Sequence, residues 1–107
     1  MLKIDIGNEP HQELLIPFEN SFIRLELKFL GNFWIMNIVY EDKTIYGLKL
    51  SSKVLMLDGH NLPFDFIIDD VNSGIDPYTV DDFVNEFFVL NLIERDELEE
   101  LRGFEVE

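Results

Sequence analysis

The chain has 107 residues, 47% of them apolar, with ten Phe, three Tyr and one Trp, so it holds enough apolar mass for one modest core and is not a disordered segment. It carries no cysteine, which excludes disulfides, thiolate metal sites and a Cys nucleophile together. Its formal charge of −14 opposes binding to nucleic-acid backbone or to an anionic membrane surface, since both would repel it.

The charge is uneven along the chain. Residues 1–60 hold eight acids against six Lys or Arg, whereas residues 61–107 hold fourteen against two. The second half therefore presents a strong negative field that can steer a basic partner surface. The N-terminal Met1–Asp5 lacks the apolar run of a signal peptide, and no stretch is long enough to span a bilayer, so a soluble product is expected.

In chain order, Leu2–Ile6 alternates apolar and charged residues as a half-buried strand does, and Gly7–Pro10 breaks it. Gln12–Ile16 reads as a second short strand ended by Pro17, with Glu19–Ser21 as a turn. From Phe22 to Phe29 the period of two is strict, with Ile23, Leu25, Leu27 and Phe29 on one face and Arg24, Glu26 and Lys28 on the other. Gly31-Asn32 supplies a tight turn, and Phe33–Tyr40 follows as the hairpin partner, apolar on both faces. Thr44–Leu50 is the next strand, with Gly47 marking a bulge, and Ser51–Leu57 is expected to continue the sheet. Leu62–Asp69 returns to strand character, 70–79 is a breaker-rich loop, and Val80–Asn85 is a helical turn or irregular lead-in. Glu86–Ile93 is a last strand, and Glu94–Arg102 a short helix closed by Gly103. The fold expected is mainly β: a small antiparallel sheet or a partly closed barrel of six to eight strands. Residues 1–94 would form the domain and 95–107 an acidic C-terminal extension of it.

Signals for chemistry are weak. His60, two residues from Asp58, is the best histidine–carboxylate pairing, but a surface turn histidine is the favoured reading. Asp70–Gly74 has the composition of a calcium loop, but its glycine and its closing ligand fall at the wrong positions. Asp76, Asp81 and Asp82 form a carboxylate cluster suited to a hydrolase, yet an Asp-Pro turn and helix-entry cap use the same residues. There is no Gly-rich phosphate loop or nucleophile elbow, and no cofactor or metal is expected. The two doubly apolar strands carry more information. So small a domain cannot bury both faces of both, so Phe33, Trp34, Met36, Tyr40, Phe87, Phe88 and Leu90 are the candidates for partner contact.

The order of several short motifs resembles the phage baseplate plug family, small proteins of contractile-tail baseplates. These are the first strand Ile4–Ile6, the Pro10-His11-Gln12 turn, the Leu25–Phe29 strand, Gly31-Asn32, Phe33-Trp34, Gly47-Leu48, and Asp76-Pro77 with Asp81-Asp82-Phe83. The chain departs from that pattern at Ser51–Lys53, where a Pro-Gly turn is usual, and in its acidic tail. The resemblance implies a non-enzymatic virion protein, assembled in the host cytoplasm. It would be present in several copies per particle and packed on the baseplate hub and tail-tube proteins. The alternative raised by the charge alone is an acidic DNA mimic that inhibits a nucleic-acid enzyme.

Overall fold

A computed structural model describes residues 1–70 and 75–106, with side chains through residue 101. Seven strands form two antiparallel sheets. β2 (His11–Phe18), β3 (Ser21–Phe29), β4 (Trp34–Tyr40) and β5 (Lys43–Lys49) make a four-stranded meander in sequence order. β1 (Leu2–Ile4), β7 (Phe88–Ile93) and β6 (Asp65–Asp70) make the second sheet in the order β1-β7-β6. The sheets remain separate and do not close into a barrel. A helix, α1 (Arg95–Val106), follows β7 directly. Its first turn carries Asp96 and Glu97, which suit the positive end of the helix dipole.

The meander follows the period-two reading. Ile23, Leu25 and Leu27 of β3 and Trp34, Met36, Ile38 and Tyr40 of β4 point inward and are buried. They meet Phe66 and Ile68 of β6 and Phe88, Leu90 and Leu92 of β7 in one core. Burial of that much apolar surface is the main force holding the two sheets together. Aromatic edges reinforce it: Phe64 packs edge-on against Phe18, Tyr40 and Phe66, with ring centroids 5.1–5.8 Å apart.

Three local expectations change. Pro17 does not end β2; it lies within it, paired with Phe22, because β2 is an edge strand and one of its sides needs no amide donor. Ser51–Leu57 is not a strand. Only Ser52 bridges to Ile68, and the chain then turns, with the buried Asp65 carboxylate accepting the Leu57 amide at 2.7 Å. Gly103 does not close the helix but falls inside its bounds. The bulge expected at Gly47 is present. Ile38 pairs with Ile45 and Met36 with Leu48, so Tyr46 and Gly47 together face Asn37. Gly47 there adopts φ +70°, which a residue without a Cβ takes at no steric cost.

Candidate interaction surface

Five of the seven residues expected to contact a partner are core residues. Trp34, Met36 and Leu90 are fully buried, and Phe88 and Tyr40 nearly so. Strand parity explains the correction. Each apolar strand sends alternate side chains inward, and the second sheet, with Met56, Leu57, Leu62, Phe64, Val80 and Phe83 from the loops, covers that face. Phe33 is half-buried, with the Lys49 ammonium 5.9 Å from its ring centroid, and Phe87 is half-exposed.

The outward face of the meander holds one group of exposed apolar side chains; others, such as Tyr46, Tyr78 and Phe87, are scattered elsewhere. Leu15, Arg24, Val39 and Thr44 form one register row across β2–β5, and Pro17 and Phe22 form the next row on β2 and β3. Leu15 and Phe22 are more than half exposed, and Val39 is exposed as well. Arg24 stands between these apolar residues and the Glu13–Glu26 row on the same face, exposed, and among the described residues no carboxylate lies within 4.0 Å of it. A cation beside apolar side chains, on a backbone held by ladder bonds on both sides, has the composition of an interface centre. Period-two counting marks Leu15, Phe22 and Val39 as outward, on the face opposite the buried Trp34, Met36 and Tyr40.

The acidic candidates disperse into structural roles. The buried Asp82 accepts from the Tyr78 and Thr79 amides at 2.7 and 2.8 Å and from the Thr79 hydroxyl at 2.6 Å. Asp76 accepts the Ser52 amide at 3.0 Å and faces Lys49 at 3.7 Å. Asp81 is exposed beside Asn8. Three carboxylates so committed share no reacting centre. His60 and Asp58 are both exposed on their turn. Of the calcium-loop residues, 71–74 lie outside the described residues; the Asp70 side chain is buried, with Lys53 at 3.4 Å.

Several clefts lie between the described elements. One, about 330 Å³, lies between Tyr40–Lys43, Asn61–Pro63 and Arg95. Lys43 there donates to the Asn61 carbonyl at 2.9 Å, so its charge is used to tie β5 to the loop. Arg95 makes a two-pronged bond to Glu19 at 2.6 and 2.9 Å, fastening α1 to the β2–β3 turn. That contact holds the Glu19 carboxyl below its ordinary range. Among the described residues, one group has metal-ligating atoms close enough to share an ion: His11, Glu13 and Glu26, on the outward face of β2 and β3.

No protein-family model matches the sequence, and no curated protein matches it.

Proposed function

We propose that the chain is a structural component of a contractile phage tail baseplate, a plug-like protein that docks on hub or tail-tube proteins and catalyses nothing. The observation that carries the docking role is the outward face of the meander, where Leu15 and Val39 flank Arg24 across the strands and Phe22 and Pro17 lie on one side of it, with Glu26 on the other. Apolar side chains beside an exposed cation, on a rigid sheet, lose solvent on docking without first paying to order a loop. The order of motifs supplies the baseplate part of the reading, and the acid-rich second half suits a basic neighbouring surface.

The DNA-mimic alternative is weakened by where the acids sit. Asp65 and Asp82 are buried as acceptors for backbone amides, and Asp70, Glu86 and Glu97 face cations, so five of the fourteen late acids are withdrawn from any free array. Mass spectrometry of purified particles tests the proposal. The protein should be found in tail or baseplate fractions in a fixed ratio to the hub protein, and its absence from them would overturn the reading.

A further inference from the structure

The outward face of the β2–β3 hairpin brings together three side chains that ligate metals. His11 and Glu13 are two residues apart on β2 and share a face, and Glu26 on β3 is the direct register partner of Glu13. The imidazole nitrogen and the carboxylate oxygens of this trio all lie within 4.8 Å of one another. A four-coordinate ion with bonds of about 2.0–2.1 Å holds its ligand atoms about 3.4 Å apart, so side-chain rotation alone completes the approach.

Two features of the sheet go beyond proximity. The first is a repulsion. Like charges directly opposed across an antiparallel pair destabilise it, and Glu13 and Glu26 are so opposed. The nearest ammonium, on Lys28, lies 4.0 Å from Glu26, beyond hydrogen-bond length. The second is an orienting chain that runs across the sheet. Asn37 on β4 donates to one Glu26 oxygen at 2.8 Å, while its own amide oxygen accepts the Gly47 N–H at 2.7 Å at the β5 bulge. That leaves the other Glu26 oxygen turned toward His11 Nε2, at 2.7 Å. Ligating carboxylates are characteristically held in this way by an outer partner.

We propose that His11, Glu13 and Glu26 bind one divalent ion of the zinc class, through Nε2 of the imidazole and one oxygen of each carboxylate. The ion takes the place of the proton between His11 and Glu26, and its remaining coordination positions are left to water. The imidazole selects zinc, nickel or copper over calcium and magnesium, which prefer all-oxygen sites. The bound ion would neutralise the opposed glutamates and fasten the edge strand β2 to β3.

Zinc titration of the full chain, followed by calorimetry and by the imidazole NMR signals, tests this. The chain has two histidines, so each ring can be assigned. The expected result is one ion per chain, with the His11 signals shifting, those of His60 unmoved, and calcium without effect on either. His11→Gln and Glu13→Gln should each weaken binding about tenfold or more, while His60→Gln leaves it unchanged. Lys28→Met should tighten it by removing the competing cation. Unmoved His11 signals, or equal binding by every variant as expected of diffuse attraction to an acidic surface, would overturn the proposal.

Discussion

The indole Nε1 of Trp34 donates to the carbonyl oxygen of Thr79 at 3.0 Å. The same threonine gives its amide and hydroxyl protons to the buried carboxylate of Asp82. One buried donor on β4 is thereby satisfied by the loop before β7, and that loop is shaped by a carboxylate within it. The Trp34 ring also meets Phe83 edge-on at 5.5 Å, so the aromatic that looks most like a docking anchor is the clamp between the meander and the loop.

Asp82→Ala should be strongly destabilising for that reason. It strands the amides of Tyr78 and Thr79 in a partly buried loop and removes a charge-assisted acceptor, at a cost of about 2–4 kcal/mol. Urea unfolding followed by Trp34 fluorescence measures it. Asp81→Ala, next door and exposed, should stay within about 0.5 kcal/mol of the wild type.

Gly47 sits in open space, so a side chain there meets no obstruction, and only the backbone objects. At φ +70° a β-branched residue is strained, and Gly47→Val should cost about 1–3 kcal/mol. An unchanged thermal midpoint would show that the bulge relaxes freely.

Acid should loosen the protein through a defined set of groups. Glu19, Glu26, Glu86 and Glu97 all have carboxyls held below the ordinary 4.5, by hydrogen bonds to Arg95, Asn37, Lys3 and the terminal amine respectively. A carboxyl whose folded value is depressed stabilises the fold above its unfolded value, and that stability disappears as pH falls through the folded one. Stability should therefore be level above about pH 4.5 with respect to these groups and decline below it. Arg95→Met should flatten part of that decline, and denaturant midpoints taken at successive pH values would reveal it.

The interaction surface separates from the core by mutation. Leu25→Ala opens a cavity under the meander and should cost about 2–5 kcal/mol. Phe22→Ser and Leu15→Ser, on the outward face, should change stability by no more than about 0.5 kcal/mol each. The double variant should nevertheless fail to enter particles in a complementation experiment. Normal incorporation would move the docking surface elsewhere.

Much of the fold was legible in the residues alone. Strict alternation from Phe22 to Phe29, turn residues at Gly31-Asn32 and a glycine inside the next strand specify a meander with a bulge, because side-chain parity and positive φ are local properties. The concentration of acid after residue 60 is likewise a property of sequence. Which apolar residues stay exposed is not. Trp34, Met36, Tyr40, Phe88 and Leu90 looked like surplus, and the second sheet and the loop around Phe64 and Phe83 use all five. Pro17 stays in its strand only because β2 is an edge, and Asp65 is tolerated at zero exposure only because the amides of Leu57 and Phe66 converge on it. The apolar residues beside Arg24 and the cluster of His11, Glu13 and Glu26 arise from cross-strand register. Pairing residues 9 to 15 positions apart is a decision of the folded sheet, where long-range partners choose which of two equally apolar faces meets water.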